Sequence, residues 1–402
     1  MHLMKLFLFF LVATLTLSCT EPKTEIISDT KKDLGLDSLN FQSIQIPKSE
    51  VQSIRKYFTD FVIKRRFNGH IIVAKKGKVV FDTTSGYANI RKKIKLEKNS
   101  VVQLASITKP ITATVVLQLI EEGKLNLNDS ITKYLTNLPE NYQKITIKQL
   151  LSHRSGLSPY PYYCHEMIEN KQKLIYNDTV LCVIDFHNPK PYYSPDQKYN
   201  YCNTNYMLLA SIIEEIEKKS YADVIDRRIV EKCGMKSSFV FDAKQNKPPS
   251  NLTLGHTHTN KTFNLDYLDG VVGDKGFFSN AKDMLQFDRM LSMGKIINDS
   301  TINLAFTAQN NIRNNKSYGL GWRIKMHKNL GKIIYHTGWW HGNRNIYIKI
   351  PENKYTIIIL SNALRGSSYN INTLLDQFDL PKTTNKTASH IKLNRPAIKK
   401  IN

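Results

Sequence analysis

The chain has 402 residues, too many for a single hydrophobic core, and 41% of them are hydrophobic and 23% charged, as in an ordinary globular body. Those values exclude a disulfide-stapled miniprotein, wholesale disorder and a polytopic membrane protein. The net charge of +23 favours anionic surroundings, but no Lys/Arg-rich stretch is interleaved with aromatics, so nucleic acid is not expected as a partner.

Lys5 precedes an apolar run from Leu6 to Leu17 that is too short to span a bilayer comfortably, and Ser18 and Cys19 follow it. Residues 1–18 therefore read as a secretory signal peptide, and export to the cell envelope, on its periplasmic or surface side, follows. A cysteine directly after the cleavage region resembles the lipobox of bacterial lipoproteins, although Thr16 stands where that pattern prefers Leu. The resemblance implies a lipid on Cys19 that holds the chain to a membrane. Residues 19–49 are then the lipidated Cys and a polar tether.

Val51, Ile54, Phe58, Phe61 and Val62 recur at helical spacing, which places a helix near residue 50. His70–Ala74 and Lys78–Asp82, separated by Lys75-Lys76-Gly77, read as a hairpin. Helical patterns follow at Thr112–Glu122, Thr146–Leu151, Tyr206–Lys218, Tyr221–Ile229 and Ala281–Leu291. Strand patterns return at Ile333–His336, Asn345–Ile350 and Thr356–Leu360, before a closing helix at Ile371–Phe378. The expected fold is α+β: an antiparallel sheet built from both ends of the chain (50–105 and 311–380), flanked by helices, with a mostly helical domain (106–310) inserted. Residues 381–402 form a basic tail without periodicity.

Cys164, Cys182, Cys202 and Cys233 contain no CxxC element, so structural zinc is not expected, and their pairing is left open. His256 and His258 alternate, but in a segment that reads as a loop, so no metal site is assigned there.

Ser106-Ile107-Thr108-Lys109 has the form SxxK. The same form starts at Ser28, Ser53, Ser130, Ser279, Ser292 and Ser389, so the motif alone decides nothing. Ser106 differs in context, because it follows the apolar approach Val101–Ala105 and opens a long apolar helix in which Pro110 is tolerated only near the start. Three residues is just under one helical turn, which returns the Lys109 ammonium to the Ser106 hydroxyl. Tyr201-Cys202-Asn203 supplies a phenol that beside a Lys can serve as a general base, and an amide that can orient Lys109 and a substrate carbonyl. A second YxN, Tyr87-Ala88-Asn89, follows the first hairpin and reads as structural. His336-Thr337-Gly338 ends an apolar run, and such a triad on an edge strand lets a substrate backbone lie alongside, Gly338 permitting close approach.

With SxxK, YxN and HTG in that order, the chain resembles the class C β-lactamase and D-alanyl-D-alanine carboxypeptidase group, with its esterase and penicillin-binding-protein-like relatives. Leu150–Leu157, Gly273–Ser279 and Tyr318–Trp322 look like that group's framework segments, so the likeness covers about residues 50–380, and by it His153 is structural. The resemblance implies an acyl-serine mechanism without cofactor or metal, acting on an amide, peptide or ester. Ser106 would be the nucleophile, Lys109 and Tyr201 the proton-transfer pair, and Asn203 a contact to substrate and Lys109. Backbone N–H groups of Ser106 and Trp339 would form the oxyanion hole, with His336 and Thr337 lining the leaving-side pocket. His336 replaces the Lys of true class C β-lactamases, so a contact to a substrate carboxylate is expected to titrate between about pH 5.5 and 7.5, with Arg344 as the rival cation. Trp339 and Trp340 place bulk beside the pocket. The other reading of the same residues is a catalytically silent member that binds wall peptides or acts as a sensor.

Overall fold

The computed structural model describes residues 41–242, 251–310, 315–367 and 370–377. The signal, Cys19, the tether up to residue 40 and the basic tail lie outside the described residues.

Helix α1 (Lys48–Arg65) buries Ile54, Phe58 and Phe61 on one face, the stripe that its spacing foretells. Strands β1 (Gly69–Lys75) and β2 (Lys78–Ser85) meet through Lys76 and Gly77, both at positive φ (50° and 79°), as a two-residue hairpin turn that matches strand twist requires. A short hairpin, β3 (Tyr87–Asn89) with β4 (Ile94–Lys95), and then β5 (Val102–Gln103) lead to helix α2 (Thr108–Glu121). Helices α3 (Ile147–Leu151), α4 (Tyr160–Met167), α5 (Asn177–His187), α6 (Thr204–Glu217) and α7 (Tyr221–Ile225) follow. Strands β6 (Phe239–Val240) and β7 (Phe277–Ser279) precede α8 (Ala281–Ser292) and α9 (Asp299–Ala305). The chain closes with β8 (Lys316–Tyr318), β9 (Arg323–His327), β10 (Gly331–Trp340), β11 (Asn343–Ile350), β12 (Tyr355–Ser361) and α10 (Ile371–Gln377).

Among the described residues the main sheet has seven strands in the order β2-β1-β12-β11-β10-β9-β8, all pairs antiparallel, so strands from both ends of the chain meet at β1 and β12. Ile71, Val73, Ile348 and Ile357 face one core with Phe58 and Leu374. Their strand neighbours Ile72, Ala74, Tyr347 and Ile358 face a second core with Ile111 and Leu208 of α2 and α6. Cover on both faces is why β12 reads as an unbroken apolar run rather than an alternating one.

The middle of the chain is less purely helical than its sequence suggests. Strands β5, β7 and β6 form a small three-stranded sheet, with Phe239 stacked on Phe278 at 5.3 Å. Helix α4 is invisible to periodicity because Tyr-Pro-Tyr-Tyr interrupts it, Pro161 being tolerated only in the first turn. The expected helix Tyr221–Ile229 is α7 continued by a π-helical turn, Asp226–Glu231. Among the described residues the four cysteines, Cys164, Cys182, Cys202 and Cys233, are free thiols, and all but Cys182 are buried. No helix among the described residues is long and apolar enough to cross a membrane.

Candidate active site

Strand β5 delivers the chain to a tight turn at Ala105–Ile107 that opens α2. Ala105 has φ 52°, a left-handed conformation that a residue with a Cβ adopts only under constraint. The consequence is that Ser106 is the one residue from Val101 to Pro110 that is not buried. One turn on, Lys109 is fully buried, and its Nζ lies 3.1 Å from Ser106 Oγ, 2.9 Å from Asn203 Oδ1 and 2.9 Å from the Asp274 carbonyl oxygen. Two of these partners are pure acceptors and take two N–H donors, so the third tetrahedral position of Nζ points at Ser106 Oγ. In the amine form that position is a lone pair, the arrangement a general base needs.

The sequence reading missed Asp274 because its contribution is a backbone carbonyl, which has no residue signature. Its side chain is buried too, accepting from Tyr160 O–H at 3.3 Å, with Lys275 Nζ 3.7 Å away. Lys275 Nζ donates to Tyr160 Oη and to the Val271 carbonyl. Burial lowers its pKa, against the raising effect of Asp274 and Asp269.

Gly338 shows why the third motif ends in glycine. A Cβ there would stand 2.0 Å from the Leu104 carbonyl oxygen and 3.2 Å from Ser106 N, so only glycine lets β10 press against the nucleophile turn. Strand β9 pairs with β10 only from Gly331 to Tyr335, so among the described residues the side of β10 beyond Tyr335 has no neighbouring strand, as expected for the HTG segment. Thr337 is buried, whereas Trp339 is 58% exposed on that edge. Trp340 turns inward and donates its indole N–H to Asp269 at 2.6 Å.

Two side chains are not placed as expected. His336 has no exposed surface: Nδ1 donates to the Thr337 carbonyl at 2.9 Å, and Nε2 accepts from the Tyr318 hydroxyl at 3.1 Å. Burial first, then the charges of Arg323 and Lys109, hold its pKa well below the ordinary imidazole value. The expected carboxylate contact that titrates between pH 5.5 and 7.5 is therefore not available to it in this arrangement. Tyr201 lies at the site, but Lys109 Nζ approaches its ring, 5.0 Å from the centroid, and its buried hydroxyl has no hydrogen-bond partner among the described residues. The ring is held by His153, 4.3 Å away, and by the Arg323 guanidinium at 4.6 Å. His153 itself is buried, its Nδ1 accepting from Cys202 N–H, which agrees with a structural role.

Arg323 is the other residue that sequence reasoning missed. Its Nε is buried without a partner, and its guanidinium pairs with no carboxylate among the described residues. The only available signal was a lone Arg directly after the framework segment Tyr318–Trp322. Arg344, by contrast, sits on β11 opposite Trp339. Among the described residues no group of three His, Cys, Asp or Glu is placed to hold a metal ion, and His256 is buried while His258 is exposed.

A sequence model of the family described as Beta-lactamase matches residues 54–377. The chain belongs to the beta-lactamase family. As a member it is a serine hydrolase, and the match spans all three motifs. Penicillin-binding protein 4* of Bacillus subtilis is 30% identical over 320 residues, which are 76% of this chain and 70% of that protein. Two solved structures share the family's fold. A penicillin binding protein from Bacillus halodurans superposes with a TM-score of 0.71 at 21% identity, over 80% of this chain and 98% of the other. D-amino acid amidase from Ochrobactrum anthropi SV3 gives 0.66 at 21% identity, over 82% and 97%.

Proposed function

We propose that the chain is an envelope-located hydrolase that forms an acyl-enzyme on Ser106 with an amide, peptide or ester substrate. The observation that carries this reading is Lys109 Nζ, fixed by two carbonyl acceptors so that its remaining tetrahedral position meets Ser106 Oγ. As Oγ bonds to the substrate carbonyl carbon, its proton passes to Lys109. Collapse of the tetrahedral adduct then breaks the bond to the amine or alcohol, which takes that proton as it leaves. Water repeats the sequence to free the acid and Ser106. Tyr201 joins the proton transfer once its unpartnered hydroxyl turns to the leaving group. Asn203 contacts the substrate as well as Lys109, and Thr337 and Gly338 guide its backbone along β10. The Ser106 and Trp339 N–H groups hold the oxyanion. Arg323, a cation with no carboxylate partner among the described residues, takes the carboxylate role that His336 is too enclosed to fill.

The relatives' names, penicillin-binding protein and D-amino acid amidase, support amide and peptide substrates. A panel of D-amino acid amides, dipeptides, aryl esters and β-lactams at known enzyme concentration tests the reading. Turnover of at least one class, absent in Ser106→Ala, is expected. No turnover and no acylation across the panel would leave a wall-peptide-binding or sensor protein instead. The location is proposed on Cys19: Cys19→Ala should shift the mature protein from the membrane fraction to the soluble one. Unchanged retention would contradict the lipid anchor.

A further inference from the structure

The β3–β4 hairpin carries Arg91, Lys92, Lys93 and Lys95 on exposed positions, none paired with a carboxylate among the described residues. Lys92 and Lys95, with the amides of Asn89, Asn99 and Asn251, line a groove of about 510 Å³ floored by Ala88 and Leu252; Glu97 is its one acid. The volume suits a segment of a larger chain.

The groove is built into the Ser106 end of the molecule. His256 Nε2 accepts from Ile90 N–H at 3.1 Å, and Asn362 donates to the Tyr87 and Ala88 carbonyls, so the hairpin is tied to the segment around residue 255. That segment lies against the turn between β10 and β11, where a Cβ on Gly342 would come within 2.4 Å of His256 N. Trp339 and Trp340 lead directly into this turn. In the sheet, Ser85, Gly69, Ser361, Arg344 and Trp339 form one row, and the hairpin follows Ser85. The segment preceding α1 lies at the other end of β1, where the Arg289 guanidinium covers Phe41 at 4.4 Å beside the Gly77 turn. The two ends are roughly 20 Å apart, six residues of strand.

We propose that this groove is an exosite for an extended anionic polymer, a chain of repeated phosphate or carboxylate groups laid past the Ser106 edge. Cations without a carboxylate partner among the described residues, beside the Asn89 and Asn99 amides in a concave strip, suit such a chain, although the Asn251 amide already donates to the Asn99 carbonyl and Lys95 also covers the Tyr87 ring at 5.1 Å. A flat lipid surface would leave the amides unused. The inference does not depend on the acyl-enzyme reading.

Fluorescence polarisation with end-labelled polyphosphate and with poly-L-glutamate, over a salt series on the full chain, tests it. The triple variant Arg91→Glu, Lys92→Glu, Lys95→Glu should weaken binding at least about tenfold and flatten its salt dependence. Arg55→Glu, Lys56→Glu, Arg66→Glu, the same charge change on exposed positions of and beside α1, should weaken it less than about threefold. Binding of one polymer alone assigns the phosphate or the carboxylate source, and binding of both assigns their shared charge. Acetylation footprinting of the parent keeps the test independent of any variant: either polymer should protect Lys92 and Lys95 more than Lys56. Equal losses in the two triple variants, equal protection, or binding confined to phosphatidylglycerol vesicles would overturn the exosite.

Discussion

Two polar clusters meet at the Tyr201 ring, and they are built differently. Around Lys109, the three nearest oxygens, from Ser106, Asn203 and Asp274, are each at hydrogen-bond distance. Around Arg323, the guanidinium Nε, the hydroxyls of Tyr199 and Tyr201, and His153 Nε2 are buried without partners among the described residues. Leaving a polar group in that state costs about 1–3 kcal/mol, so several together are expensive in a protein of ordinary marginal stability. The difference teaches that the first cluster is complete as it stands, and in the proposed function it moves the proton of Ser106. In the proposed function the second is completed by the substrate.

The comparison can be broken most forcefully at Lys109. Lys109→Met should lower the single-turnover acylation rate by about 1000-fold, with the melting temperature showing a folded protein. An acylation rate within tenfold of the parent would mean that the complete cluster is scaffolding. Tyr201→Phe sharpens the contrast, because it removes a hydroxyl that has no partner. Turnover should fall by about 100-fold while the melting temperature stays equal or rises. Unchanged turnover would confine Tyr201 to packing.

The smallest of these effects concerns the charge of the second cluster. The ratio of kcat/KM for an anionic substrate to that for its methyl ester should drop by about tenfold in Arg323→Gln and stay near parent in Arg344→Gln. The ratio isolates the carboxylate contact from the proton-transfer chemistry. In the parent it should be flat from pH 5.5 to 7.5. His336 is enclosed, with its pKa held well below the usual value, so that its charging is pushed to lower pH, and a guanidinium does not titrate there. A ratio that falls as pH rises would restore His336, and a drop only in Arg344→Gln would transfer the role to Arg344.

The first cluster was legible in the sequence except for the Asp274 carbonyl, and the second was not. Ser106 and Lys109 are one turn apart on a single helix, so local geometry alone brings them together, and Gly338 announces a close approach. The main sheet was legible for a similar reason, since β1, β11 and β12 are long apolar runs covered on both faces. The surroundings of Tyr201 and His336 depend on His153, Tyr318 and Arg323, which come from separate elements. No spacing rule reports whether a histidine faces the cleft or the Tyr318 hydroxyl. Short strands such as β8, Lys-Ser-Tyr, and β9, with charges at alternate positions, carry too little apolar pattern to be read before their partner β10 is known.

The central claim, that Ser106 is the residue acylated, is tested most directly by treating the protein with a fluorescent penicillin and a fluorophosphonate and locating the adduct by peptide mass spectrometry. The account predicts one adduct, on the peptide containing Ser106, lost in Ser106→Ala and retained in Ser130→Ala. Ser130 lies in a surface turn, where its hydroxyl bonds the Gln143 carbonyl. An adduct on Ser130 or any other serine, or labelling that survives Ser106→Ala, would contradict it.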